Sequence, residues 1–448
     1  MTELKAVAEE LVEVVQKAGA TEAVAEAMES MVQQVRFSNS EIDAVNSWRE
    51  KHVALFVAVG NRVIASDLRG IEGLEERAAN LVKSAKSAPP SKEYKGIAEG
   101  RFKYPRPKFD RKIAAGIDPA KYVHEAITAA ESAGANNVGG TFFAHHHKTG
   151  IASSGGAKAT DEAAWAELSV RAFSQPEASG HAVCCTPRLA SMDAKGTGLR
   201  AGELAVMAKN PTAGEAGEFD IIVQPLFLGE LVQSTSMMMS AMMVEIGLSM
   251  FAKKVGKKVA SEDITFVDDP TIDSTSRRLF DHEGVPARRN VVIKDGVLKT
   301  FLHNTSTARR FKTRTTANAG PLVPTGSSMA AQPVPFHPVI VPGDWKEDEL
   351  IEDTKRGLYL NNTWYTRYQN YSTGEFSTIP RDALMLIEDG ELVGAVKNIR
   401  ISDNMTNFWK SIDAVGRNPQ EVYWWEEAAP PSHLPAVRSR NMRITRSS

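Results

Sequence analysis

Apolar residues recur at helical spacing near the start of the chain, at Leu4, Val7, Leu11, Val14 and Val15, and the pattern ends at Gly19. It then turns to alternation. Val53, Leu55, Val57 and Val59 fall on one face of a strand, Gly60-Asn61 supplies a hairpin turn, and residues 62–66 read as the returning strand. Helical spacing returns over residues 71–88, with Leu74, Ala78, Leu81, Val82 and Ala85 apolar, and Pro89-Pro90 closes this first αβββα-type unit. A second unit begins with a helix over 119–133, continues through strands at 141–144, 151–154 and 163–173, and ends with a helix over 198–209. The third region opens with a strand at 219–223 and holds a weak internal repeat, residues 291–298 against 384–392. In each copy an apolar strand meets an Asp-Gly pair and a second strand follows. Asp-Gly supplies the positive φ angles of a two-residue turn, so both copies are predicted hairpins. The pattern as a whole predicts an α+β protein, with an α/β N-terminal half containing antiparallel sheets and a β-rich, barrel-like C-terminal domain. The expected division is an N-terminal α/β domain over 1–90, a linker over 91–118, a middle α/β domain over 119–214 and the C-terminal domain over 215–448.

Composition narrows the class. A chain of 448 residues has room for about three domains. Its 42% hydrophobic and 24% charged content is that of a soluble globular protein. The net charge of −2 gives no global attraction for nucleic acid or an anionic membrane. No apolar run approaches the roughly 18–20 residues of a membrane span. The start, Met1-Thr2-Glu3-Leu4-Lys5, runs into an acidic amphipathic helix with no secretory or transit character, which predicts a cytoplasmic location. The only cysteines, Cys184 and Cys185, are adjacent, a spacing that suits neither an ordinary disulfide nor a zinc ribbon.

Several clusters could carry chemistry. The proline-rich stretch 89–119 is basic, but intervening acids and the lack of an aromatic ladder favour a solvated linker over a polyanion-binding arm. His145-His146-His147 suggests a metal site, yet consecutive strand residues alternate faces and cannot converge on one tetrahedral ion. His124-Glu125 starts like a zinc-peptidase motif but has no second histidine. Cys184/Cys185 with His181 upstream could form a thiol–imidazole pair; burial as packing residues is the competing reading. The methionines Met237, Met238, Met239, Met242, Met243 and Met250 read as helix core rather than an adaptable binding face. Two polar, glycine-punctuated segments, 268–289 and 307–320, lie against predicted strands, as loops bordering a cleft do.

Those two segments also carry a resemblance. Asp-Asp-Pro-Thr at 268–271, Phe-Asp-His-Glu-Gly-Val-Pro-Ala-Arg-Arg at 280–289, Asp-Gly-Val-Leu-Lys at 295–299 and Thr-Ala-Arg-Arg at 307–310 are similar to the TldD/PmbA family. Arg-Phe-Ser-Asn-Ser-Glu-Ile at 36–42 and the Glu-Asp-Gly-Glu-Leu hairpin at 388–392 resemble it too, so the likeness runs in order over nearly the whole chain. It implies subunits that pair around an internal cavity. In that family, TldD subunits carry a His-Glu-x-x-x-His helix and a distant cysteine as zinc ligands, whereas TldE (PmbA) subunits lack them and pair with TldD to form the active protease. Here the matching segment is Gly229-Glu230-Leu231-Val232-Gln233-Ser234, and residues 396–448 hold no cysteine. A lone Glu230 has no metal-bound water to deprotonate.

The resemblance thus implies a TldE-type subunit with neither catalytic nor metal-ligating residues of its own. Zinc is expected in a TldD-like partner, as a heterodimer, with an unfolded or extended peptide as substrate for proteolysis or maturation. Arg288, Arg289, Arg314 and Asn318 are the expected peptide contacts. Two other readings stand beside this one. The first is a stand-alone hydrolase using His145–His147 or Cys184/Cys185. The second is a DNA- or topoisomerase-interacting modulator, a role attached to the family, for which the basic linker and Arg438, Arg440, Arg443 and Arg446 would serve.

Overall fold

The computed structural model describes residues 2–69, 73–322, 331–424 and 428–446. Its first half is built from α1 (Thr2–Lys17), β1 (Glu22–Ser38), β2 (Glu41–Val59), β3 (Arg62–Arg69) and α2 (Leu74–Ser87), then α3 (Arg111–Ala114) and α4 (Pro119–Ser132). There follow β4 (Asn137–Ser153), β5 (Lys158–Gln175), β6 (Ala178–Thr186) and α5 (Ala194–Met207). The helix expected from residue 71 begins at Leu74; residues 71 and 72 lie outside the described residues.

All six strands form one antiparallel sheet in the order β3-β2-β1-β4-β5-β6. The first and middle segments therefore meet in a single sheet, because β1 pairs with β4 from Val24↔Ser153 to Phe37↔Gly140. One face of the sheet is covered by helices. Leu4, Leu11 and Val15 of α1 and Ala78 and Val82 of α2 pack on Ala25, Val53, Leu55 and Val57, and α4 and α5 cover Phe142, Leu168 and Val170 in the same way. The opposite face is buried as well. Val24, Phe56, Ala58 and Ile151 pack against Leu279, Phe280 and Ala319 of the C-terminal half.

Two expectations change here. The strands read at 141–144 and 151–154 are one strand, β4, whose middle is polar (His145 to Thr149) and so broke the apolar pattern. The stretch 91–118 is not a solvated linker. Tyr94 donates its hydroxyl to Glu22, Arg309 donates to the carbonyls of Lys95 and Ile97, Tyr104 donates to the Gly284 carbonyl, and Ile97 is 2% exposed. It is a strap that ties the two halves together.

The second half starts with β7 (Thr212–Ala213), β8 (Gly217–Val223) and α6 (Pro225–Met238). Short strands follow as β9 (Phe266–Asp268), β10 (Asn290–Lys294), β11 (Val297–Leu298), β12 (Ala319–Leu322), β13 (Ala331–Pro333) and β14 (Pro338–Ile340). The last strands are β15 (Arg356–Asn370), β16 (Glu375–Glu388), β17 (Glu391–Lys397), β18 (Ile399–Asn404), β19 (Ile412–Val415), β20 (Gln420–Trp424), β21 (Ala428–Leu434) and β22 (Val437–Arg446). Strands β15, β8, β22, β18 and β16 pair in that order, and β16 returns to β15, so five strands close into a barrel. A second sheet runs β11-β10-β9-β14-β21-β20 and leaves β20 at its edge. The largest core cluster fills this half, joining Ile221, Phe227, Leu231, Phe251, Phe376 and Phe408. Both Asp-Gly hairpins form with positive φ at both turn residues, Asp295 (49°) and Gly296 (74°), Asp389 (48°) and Gly390 (86°). The fold is α+β with a C-terminal barrel. No described helix is long and apolar enough to cross a membrane.

Candidate functional site

Helix α6 carries the segment that would have to hold a metal. Pro225 at its first position pre-sets the helical φ, and nearly the whole helix is buried. A Cβ placed on Gly229 would stand 3.0 Å from the Ala428 Cβ and 3.3 Å from Val422 Cγ2, so the strands β20 and β21 already occupy the space of a larger side chain. Glu230 is buried and accepts the backbone N–H of Thr366 at 2.9 Å, which ties α6 to β15. It neither faces solvent nor points at a ligand set. Ser234 is half-buried one turn on. Among the described residues, no three His, Cys, Asp or Glu side chains come together to hold a metal. Glycine offers no donor, and these positions do not fit a zinc ion.

Beside this helix, two cavities open between the N-terminal sheet and the C-terminal half. They share β20 as a wall. The larger, of ≈ 430 Å³, is lined by His145, His147 and Trp165 of the sheet and by Arg277, Arg278 and Tyr423 of the other half. Alternation along β4 divides the three histidines. His145 stacks on Trp165 at 4.6 Å and His147 meets the same ring edge-on, while His146 pairs with Glu162 at 2.8 Å and stacks on Phe109. Burial pushes His145 down to about 3 and His147 to about 4, so both are neutral. Burial also pushes Glu167 up to about 8, although the Trp165 indole donates to it at 2.6 Å. At neutral pH this part of the wall therefore carries little charge.

The smaller cavity, of ≈ 380 Å³, is lined by Cys184, Cys185 and His181 together with Gln224 and Pro225 at the start of α6. Its geometry argues against a thiol–imidazole catalyst. Asn362 Nδ2 donates to His181 Nδ1 at 2.9 Å, and the other ring nitrogen lies 2.8 Å from Ser169 Oγ, so both are engaged. Burial, then the nearby Arg171, lowers His181 to about 3. Cys185 Sγ sits 3.5 Å from the Tyr423 carbonyl, and burial holds its thiol well above the ordinary range. Thiolate is the reactive form, so native chain at pH 7.5 is expected to leave Cys185 unmodified by iodoacetamide while urea-unfolded chain is labelled there, as read by peptide mass mapping.

The four residues expected to touch peptide differ in exposure, although Asn290 bonds both the Arg288 carbonyl and Asn318 Oδ1. Arg288 and Arg314 are exposed, and Arg289 is half-exposed with its Nε 3.6 Å from Asp269. Asn318 is fully buried; it donates to Asp268 Oδ2 at 2.6 Å and to the Val334 carbonyl at 2.8 Å, so its amide holds the fold and is not presented to a ligand. The arginines that line the larger cavity are Arg277 and Arg278, and Arg200 lines the smaller one. Arg277 and Arg278 fall within the segment 268–289 but between its two family-like motifs, 268–271 and 280–289, and an arginine pair beside Ser274-Thr275-Ser276 is the signal the sequence offers for them. The tail arginines are no open basic patch either. Arg438 is 1% exposed and bonds Asp413 and Asp353, and Arg440 bonds Asp220 and Asp413, so only Arg443 and Arg446 stand exposed.

Comparison with known proteins agrees with this architecture. Residues 216–446 match the model of the PmbA/TldA metallopeptidase C-terminal domain. A metalloprotease of Methanothermobacter thermautotrophicus is 32% identical over 229 residues, which is 50% of this chain and 48% of that protein. The metalloprotease TldD homolog of Haemophilus influenzae is 33% identical over 152 residues, covering 33% of this chain and 30% of that one. The chain thus spans about half the length, or less, of these curated relatives. The crystal structure of TldE from Thermococcus kodakarensis superposes with a TM-score of 0.87 at 21% identity, over 98% of this chain and 99% of that one, which establishes a shared fold.

Proposed function

The chain belongs to the TldD/PmbA family, and from that membership we propose that it is the non-catalytic subunit of a TldD/TldE-type zinc metalloprotease. It pairs with a TldD-like subunit that holds the zinc, and it completes a closed chamber around unfolded or extended peptides. The observation that carries this reading is the packing of α6. Where a metal-binding helix would present its first imidazole stands Gly229, at which even an added Cβ would crowd Ala428 and Val422, and the neighbouring glutamate accepts the Thr366 amide. Edge pairing by an extended peptide suits such a chamber, because main-chain hydrogen bonds tolerate many sequences while closure excludes folded proteins. The edge strand β20 forms a wall of both cavities and is the natural place for it.

The test is gentle purification of tagged chain from its own cells, followed by native mass spectrometry and metal analysis. The expected result is a one-to-one complex with a related chain, carrying one zinc that leaves with that chain. A homo-oligomer with its own stoichiometric metal, or metal-dependent peptidase activity of the pure chain abolished by Glu230→Gln, overturns the proposal.

A further inference from the structure

The larger cavity is lined by an arginine, Arg278, that forms no ion pair within 4 Å among the described residues, although Glu26, Asp161, Asp281 and Asp268 attract it from further away. Arg277 is neutralised, donating to Asp161 Oδ1 and to the Glu162 carbonyl, both at 2.8 Å. Glu26 is matched by His282 at 2.5 Å. Arg278 differs. Its guanidinium carbon lies over the Phe336 ring, 3.8 Å from the centroid, and it lines the cavity. Among the described residues its buried Nε has no hydrogen-bond partner.

The surrounding carboxylates are engaged elsewhere. Asp161 serves Arg277 and the Leu279 amide, Asp281 accepts the amides of Glu283, Val285 and Ala319, and Asp268 accepts those of Phe336 and His337. A guanidinium is always charged and presents a planar fork of N–H donors that matches a carboxylate. A carboxylate in the cavity would give the guanidinium the direct, charge-assisted hydrogen bonds that the more distant carboxylates do not supply. The other walls say what should be attached to the carboxylate. Trp165, Phe280 and Tyr423 supply apolar surface, and ≈ 430 Å³ is room for a large side chain as well as the acid group.

We infer that this cavity anchors the free α-carboxylate of a peptide, with Arg278 as the recognising cation and the aromatic wall receiving the last side chain. The inference rests on the peptide-holding reading above and adds a direction to it: the substrate enters the chamber held by its C-terminus. Arg278 acts in binding and positioning and has no part in bond cleavage.

Isothermal titration of the full chain alone with N-acetyl-Ala-Ala-Ala-Phe, as the free acid and as the C-terminal amide, tests this. The free acid is expected to bind at least about tenfold more tightly than the amide, since only it can pair directly with the guanidinium. Arg278→Gln is expected to abolish that preference, and Arg278→Lys to keep part of it. The comparison of acid with amide needs only the unmutated chain, so it stands even if a variant folds poorly. Equal binding of acid and amide overturns the inference, as does a preference that survives in folded Arg278→Gln. N-acetyl-phenylalanine binding as tightly as the tetrapeptide also overturns it, because the site would then serve small acids. Partner capture is measured separately, so a failed anchor with an intact one-to-one complex removes only the inference, and the reverse pattern removes only the subunit assignment.

Discussion

Gly229→His is expected to destabilise the protein by about 2–3 kcal/mol without conferring zinc binding, even when combined with Ser234→His. The added Cβ alone would stand 3.0 Å from the Ala428 Cβ and 3.3 Å from Val422 Cγ2, closer than ordinary contact, so β20 and β21 would have to give way. Replacing glycine in a helix interior ordinarily gains up to about 1 kcal/mol of helical preference, so overpacking has to exceed that gain for the loss to appear. Urea unfolding followed by circular dichroism reads the stability, and metal analysis after dialysis against zinc reads the binding. Stoichiometric zinc in the double variant with unchanged stability would mean that α6 sits in a metal-ready pocket, contrary to its packing.

A larger loss is expected at Asp268. Its side chain is fully buried and accepts three hydrogen bonds, from Asn318 Nδ2 at 2.6 Å and from the amides of Phe336 and His337, both at 2.8 Å. Burial raises its affinity for a proton, and these donors oppose that rise. Asp268→Ala would strand all three donors in a dry interior, a loss of about 3–5 kcal/mol. Asn318→Ala removes one of the three and should cost less. A urea midpoint for Asp268→Ala within error of the parent would show that the segment tolerates water at this point. The Asp-Asp-Pro-Thr sequence is accordingly a structural staple. Asp268 joins β9 to the loop before β14, and Asp269 turns back onto the Thr271 amide at 3.1 Å.

What could be read in the sequence depended on how local its cause was. The Asp-Gly hairpins were legible because two residues determine a turn that needs positive φ. Helix α1 was legible because one stripe faces the sheet and the other faces water. Strand β4 was misread as two pieces because His145 and His147 line a polar cavity, and a polar wall erases the apolar alternation that marks a strand. The same masking hid the strap at 91–118, whose hydrogen bonds run to residues about 200 positions away and leave no local signature. The absence of imidazoles at Gly229 and Ser234 was plain in the sequence; that Gly229 is also walled in by Val422 and Ala428 was not, because strand packing on α6 is a long-range fact. Arg278 shows the remaining limit. Whether an arginine has a hydrogen-bonded ion-pair partner inside the protein can be judged only with its neighbours in place.

The order of strands in the barrel sets a clock on the birth of the molecule. Strand β22 slots between β8 and β18, so the first and the last strands of the barrel are direct neighbours. While the ribosome is still translating, β8 must wait, with one edge unpaired, until more than two hundred further residues have emerged. The barrel therefore closes only after translation has passed residue 446, whereas the antiparallel sheet of residues 22–186 can be complete long before. A nascent chain would carry a finished front half and an open, pairing-competent rear, and that interval is when chaperone protection matters most.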